Sequence, residues 1–400
     1  MKQKWIERGS YALFAVLIGA AVGVIDAIFG RGLLRITAFR ENHFSYLIPF
    51  LPLAGVWIVW GYRRFSQESL KGMTLVFEAG QQKREKIPMA LVPLVMVGTW
   101  ITHLFGGSAG REGVAVQIGA TLAHGIGSRF FYLKNTKILV IMGMAAGFGG
   151  LFRTPLAAVF FALEVMTVGA LAYEALVPSL IAAYTASFVS GQCGLEKFTV
   201  SLGEKIEVTH PGEVAKLLLL GIAFGLTGRL FSFFLGKMKK IAGEKVLNPY
   251  VRILAGSVVL ALIFALLWQG RYSGLGTNLI TAAFEGGKIT YYDWVLKLVL
   301  TVLTLAIGFQ GGEVTPLFAI GASLGIILGP LLGLPAMACG AIGYAAVFGS
   351  ATNTLLAPMF IGLEVFGSQN ILPCILVCIF SYTISGDGSI YSAQEKPAIH

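Results

Sequence analysis

The sequence predicts an all-α polytopic membrane protein built from two inverted-topology repeats. Three observations carry that class. Apolar residues make up 56% of the 400 and charged residues 12%, against roughly 45–50% and 25% in soluble domains. Residues 314 to 363 contain no Asp, Glu, Lys or Arg, so that stretch is long enough to cross a bilayer about twice at ~20 residues per helix. The chain also matches itself at a near-constant offset between its halves. An ordinary cytosolic enzyme is excluded. The 51 glycines agree, because Gly lets membrane helices approach closely.

The repeat is read residue by residue. AAGFGGLFRTPLAAVFFALEV at 145–165 and AAVFGSATNTLLAPMFIGLEV at 345–365 are identical at eleven of 21 positions. Gly19, Gly23 and Phe29 fall on Gly221, Gly225 and Phe231, and IGATL at 118–122 falls on IGASL at 320–324. GMTLVFEAG from 72 matches GTNLITAAFEGG from 276, and Tyr184-Thr185 matches Tyr382-Thr383. Composition bias scatters Gly and Ala matches but does not keep them in order. The expected organisation is a first membrane repeat over 1–205 and a second over 206–400, joined in one transmembrane domain.

The basic run from Met1 to Gly9 leads into apolar residues with no small-residue cleavage site, and so reads as the entry to the first span. The net charge of +10 sits in short clusters between apolar runs. These are topology signals, and nucleic acid is not an expected partner. After the first span, half one carries Arg31, Arg35 and Arg40, and half two the larger set Lys237, Lys239, Lys240, Lys245 and Arg252. One connection later the order reverses: Arg63, Arg64, Lys71, Lys83, Arg84 and Lys86 oppose only Arg271 and Lys288. Farther on, Arg129, Lys134 and Lys137 oppose no basic residue around Gly329 to Pro335. The basic side swaps, which makes the repeats inverted, although Arg31, Arg35 and Arg40 then stand on the outer side against the rule.

The apolar runs 87–110 and 365–386 are long enough to span, whereas 138–152, 154–168 and 298–312 are short. Short helices interrupted by Gly end inside the bilayer, where only burial in protein or an aqueous path can serve their backbone groups. Three breaks stand out: Gly106 to Gly113, running into an amphipathic-looking helix; its partner Gly311 to Pro316; and Leu70 to Thr74. Helices starting there aim unpaired N–H groups at the midplane, so the broken helices of the two repeats meet at an anion site.

Glu112 lies inside that site. An intramembrane carboxylate is costly and reads as functional. Ionised, it occupies the anion site; protonated, it leaves and carries a proton. The competing reading is a structural ion pair with Arg111. Glu164 and Glu364, repeat-related in Leu-Glu-Val frames, read as helix-end or packing residues, and Tyr391 as an interface aromatic. Cys193, Cys339, Cys374 and Cys378 lack zinc spacing; they are packing residues, with no metal or cofactor expected. No HExxH or nucleophile elbow supports a membrane enzyme.

The chain resembles the CLC chloride channel and transporter family in GREGV at 110–114, GGEVTP at 311–316, AAGFGGLFRTPLAAVFFALEVM and IYSA at 390–393. The resemblance spans nearly the whole chain. It implies a homodimer with one ion pathway per subunit, Glu112 as the external gating glutamate and Tyr391 as the central tyrosine. Gly110, Arg111, Gly113 and Val114 fall in its anion-binding segment.

The departures are informative. Met73 stands where chloride-handling members place an anion-coordinating serine, Val114 where proline is usual, and Glu313, Val314 and Thr315 interrupt a Gly-x-Phe-x-Pro pattern. Val165 replaces a second, proton-relaying glutamate. This pattern resembles the family's fluoride/proton antiporter branch. It implies anion contacts from Met73, Thr315 and Tyr391, and a hydrogen-bonding group of Glu313, Thr315 and Tyr391 around the fluoride path. The implied activity is fluoride export from the cell against inward protons, in a bacterial inner or plasma membrane. A chloride/proton exchanger or passive anion channel of the same family is the alternative. Fluoride, tightly hydrated and a strong acceptor, needs hydroxyl and N–H donors to replace its water.

Overall fold

The computed structural model describes residues 2–130, 133 and 135–396; Met1 and Lys134, used in the charge reading, lie outside them. Among the described residues the chain forms sixteen α-helices: α1 (Lys2–Leu47), α2 (Leu51–Phe65), α3 (Met73–Gly80), α4 (Leu91–Leu104), α5 (Glu112–Gly127), α6 (Thr136–Phe152), α7 (Pro155–Glu164), α8 (Leu176–Gln192), α9 (Pro211–Lys245), α10 (Pro249–Leu266), α11 (Thr277–Phe284), α12 (Asp293–Ile307), α13 (Val314–Leu331), α14 (Ala336–Thr352), α15 (Leu356–Phe366) and α16 (Ile371–Ser385). β-type pairing among these residues is confined to isolated bridges.

Local chemistry places many of the boundaries. Proline opens α7, α9 and α10, where its missing N–H costs nothing. Asn135 caps α6 by accepting from the Ile138 N–H at 3.3 Å. Arg153 and Asn353, at corresponding repeat positions, end α6 and α14 in the same left-handed conformation, φ 58° and 55°.

The first eight helices and the last eight follow one plan. α5 packs on α6 as α13 packs on α14, α1 lies on α8 as α9 lies on α16, and α7 crosses to meet its counterpart α15. At α5/α6 and α13/α14 the contacts are Gly119 on Gly143 and Gly321 on Gly343. A Cβ at any of these four positions would run into the opposing backbone, so the helices approach closely only because both sides are Gly.

Inversion is visible where α7 and α15 cross. Glu164, ending α7, accepts from the Leu355 and Leu356 N–H groups that open α15, at 2.9 and 2.7 Å. Glu364, near the end of α15, accepts from Leu156 and Ala157 at the start of α7, at 3.2 and 2.9 Å. Each helix thus has its start at the other's end. Between them Phe160 and Phe360 stack at 4.4 Å and 8°. The helix-end role expected of both glutamates is what the structure shows.

The charge swap is equally physical. Lys71 from half one and Lys239 and Arg252 from half two line one cavity, and the Arg63 guanidinium lies 5.1 Å over the Tyr250 ring. Two connections at different places in the repeats converge on one face because the repeats are upside down to each other. Arg40 corrects the reading of the other face. It is no surface charge but is 4% exposed, with its guanidinium near the His103 carbonyl and against Gly274.

Two further expectations change. The runs 87–110 and 365–386 contain helices of 14 and 15 residues, about 21–23 Å long at 1.5 Å per residue and short of the ~30 Å hydrocarbon core. The helices long and apolar enough to cross lie in Gly9–Phe65, Pro211–Lys245, Pro249–Leu266 and Val314–Leu331. α5 is not amphipathic either, because every residue from Glu112 to His124 is buried. α5 is enclosed by its neighbours and needs neither full span length nor a polar face, whereas α4 and α16 keep exposed apolar side chains, among them Val97, Leu372 and Ile379.

Candidate functional site

α5 and α13 meet start to start. Their approach is set by a two-residue bridge in which the Gly110 N–H donates to the Gly312 carbonyl at 2.5 Å and the Gly312 N–H returns to Gly110 at 2.8 Å. Gly311, at φ 154°, and Gly110 let the two strands touch; a Cβ on Gly110 would lie 2.9 Å from Pro316. The bridge consumes the Gly110 amide, and the Val114 amide closes on the Arg111 carbonyl at 3.1 Å. Two backbone donors expected to face an anion are therefore bonded within the protein.

Glu112, the first residue of α5, is fully buried. Its Oε2 accepts from the Thr315 hydroxyl at 2.5 Å and from the Thr315 N–H at 3.1 Å. The carboxylate of one repeat thereby caps the broken helix of the other, where the orphan N–H groups and the helix dipole favour negative charge. The Arg111 Nε lies 3.6 Å from the other oxygen. That ion pair exists, but the short bonds run to Thr315.

A cavity of about 260 Å³ lies beside this junction, with Met73, Gln117, Lys239, Glu313 and Tyr391 in its walls. Met73 opens α3 after Gly72, whose φ of 50° turns the chain into the helix. The Glu313 carboxylate faces the Lys239 ammonium at 3.6 Å and lies beside Gly113. Tyr391 is buried, not interfacial. The C-terminal segment folds back inside, with the Ile390 N–H on the Ala351 carbonyl at 2.9 Å and the Glu395 N–H on Met166 at 3.1 Å. The Tyr391 ring packs 5.3 Å from Phe77, and its hydroxyl has no hydrogen-bond partner.

Glu313, Thr315 and Tyr391 are thus gathered around one place without bonding to each other. The Thr315 hydroxyl goes to the Glu112 carboxylate instead, while the Glu313 carboxylate faces Lys239. Three residues escaped the sequence reading. Lys297 is fully buried in α12 and donates to Ser108 Oγ at 2.9 Å and to the Tyr272 and Gly274 carbonyls at 3.1 and 2.7 Å, tying the loop before Glu112 to the second repeat. Asp26 is fully buried in α1 against Gly150. Gln117 faces the cavity. A lone charge in an apolar run was the available signal for the first two.

Residues 54–386 match the sequence profile described as voltage gated chloride channel. A chloride/fluoride channel protein of Pseudomonas syringae pv. tomato is 36% identical across 98% of this chain and 86% of its own length. A crystal structure of a CLC-type fluoride/proton antiporter superposes with a TM-score of 0.96 at 52% identity, covering 98% of this chain and 99% of that one. A slow cyanobacterial chloride/proton antiporter shares the fold, with a TM-score of 0.78 at 19% identity over 94% of both chains.

Proposed function

We propose, on the premise that the chain belongs to the voltage-gated chloride channel family, that this membrane protein is a fluoride/proton antiporter exporting fluoride from the cell against inward protons. The observation that supports it is the seat of Glu112 on the Thr315 hydroxyl and amide, together with Met73 in the cavity wall. An ionised carboxylate oxygen and a fluoride ion ask for the same partners: both are small anionic acceptors. Protonating Glu112 removes its charge and releases those donors, so fluoride and the bound proton replace one another at one place. Net hydrogen bonds to charged groups contribute about 1.5–3 kcal/mol each, enough to make that exchange steep.

In this reading Glu112 gates and carries the proton. Arg111, Gly113, Thr315 and Tyr391 serve the anion, Glu313 supports them, and Met73 lines the path without a hydroxyl. Gly110 and Val114 shape the junction instead of donating to the ion. Residues 1–205 and 206–400 act as the two repeats of one transmembrane unit. Two such chains form a homodimer in the lipid bilayer of a bacterial inner or plasma membrane, one pathway in each. The activity is transport, with no bond made or broken in the ion.

The test is reconstitution. A fluoride gradient imposed on proteoliposomes should drive protons uphill, measured with fluoride and pH electrodes. Chloride moving as readily as fluoride, or fluoride moving without protons, would replace this reading with the chloride exchanger or the passive channel.

A further inference from the structure

Gln117 stands one turn beyond the start of α5 and is 7% exposed. Its Nε2 donates to the Gly113 carbonyl at 3.2 Å. Because a carbonyl can only accept, that bond decides the carboxamide's orientation: nitrogen toward Gly113, oxygen toward the cavity. The oxygen is buried and has no hydrogen-bond partner. It lies beside Gly72, where the chain turns into α3, close enough that a Cβ there would stand 3.2 Å away. A buried acceptor left bare costs free energy unless something supplies a donor.

Fluoride cannot supply one, being an acceptor itself. Among the neighbours in the cavity wall, the Lys239 ammonium is directed at Glu313, and the Tyr391 hydroxyl is not within hydrogen-bond distance of any acceptor. No donor of the cavity wall bonds the Gln117 oxygen, and under the antiport reading the cavity receives a group with an O–H to place. That group is the neutral carboxyl of Glu112 once protonation has ended its hold on Thr315, on the helix and next to the residue to which Gln117 is anchored.

We propose that Gln117 is a positioning residue for the proton, its carbonyl oxygen accepting a hydrogen bond from the protonated Glu112 carboxyl when that side chain enters the cavity. No covalent bond changes; the proton stays on Glu112 and is held away from Thr315 while fluoride occupies the vacated donors. This inference rests on the antiport reading and adds a named partner for the state in which Glu112 is neutral.

The experiment measures proton-to-fluoride ratio and fluoride flux together, in proteoliposomes of the full-length protein. Gln117→Met keeps the side chain's length and removes the acceptor. Its ratio should fall by a factor of about five, the size of one lost hydrogen bond, while fluoride flux changes much less. Gln117→Asn keeps a carboxamide, its oxygen drawn back by one methylene, and should keep more of the ratio than Gln117→Met. A native ratio in Gln117→Met overturns the proposal, and so does a parallel loss of ratio and flux in both variants, which marks a packing role. If Gln117→Met does not purify as a monodisperse protein, Gln117→Leu takes its place, a native ratio again overturning the proposal. Failure of the antiport reading itself would show separately, as absence of proton coupling in the unaltered protein.

Discussion

Thr315 and Glu112 belong to different repeats, yet both donors of Thr315 converge on a single carboxylate oxygen of Glu112, at 2.5 and 3.1 Å. The contact closes the gap between two broken helices with a carboxylate, a group that is an anion when ionised and holds a proton when neutral. Glu112→Gln removes the ionisable group while keeping its shape. Coupled proton movement should vanish, and undiminished proton-coupled fluoride exchange in this variant would sink the assignment.

Thr315→Val keeps the Thr315 N–H and deletes the hydroxyl. A lost partner of this kind costs on the order of 1–3 kcal/mol, so fluoride flux should fall by roughly tenfold with little gain for chloride. Initial rates from a fluoride electrode, compared with chloride efflux from the same preparation, give the answer.

Met73→Ser acts in the opposite sense. The new hydroxyl, at the start of α3 and in the cavity wall, helps replace chloride's hydration, and the chloride-to-fluoride flux ratio should rise. An unchanged ratio would remove Met73 from the selectivity argument.

Glu164→Ala and Glu364→Ala should behave alike, since each strips two helix-opening N–H groups of their acceptor. The expected cost is about 1–3 kcal/mol for each N–H group left bare, seen as a lowered unfolding temperature in detergent with the proton-to-fluoride ratio intact. A changed ratio at unchanged stability would make either glutamate an ion-handling residue.

Lys297→Met leaves the Tyr272 carbonyl without its donor and takes one partner each from Ser108, which keeps Thr301, and from the Gly274 carbonyl, which keeps the Ala109 N–H, at about 1–3 kcal/mol for the group left bare. Thermal stability should drop, and fluoride flux with it, because Ser108 lies in the break that leads into Glu112. Native stability would show that the ammonium is dispensable.

Class, repeat and topology were legible in the chain because they are written in one dimension. Hydropathy sets which segments enter a bilayer, the matched motifs set which helices correspond, and the positions of arginine and lysine set which way each repeat faces. Glu112 was legible for the same reason: a carboxylate in an apolar, glycine-broken segment has few reasons to be there. Lys297 carried a similar signal, as a lone cation in an apolar helix, and went unread beside the charged loops.

What the tertiary structure decided is who pairs with whom. Hydrogen-bonding capacity is a property of a side chain, but its use depends on neighbours brought from far along the chain. Thr315 could have joined Glu313 and Tyr391, and instead it serves Glu112, which lies 203 residues away. Gly110 and Val114 carry amides suited to an anion, yet the approach of Gly312 and the first turn of α5 occupy them. Tyr391, in a polar C-terminal segment, ends up buried because backbone bonds to Ala351 and Met166 draw that segment inside. Sequence determines which groups are present and on which side of the membrane they begin; only the packing of two inverted repeats determines which of them face the ion.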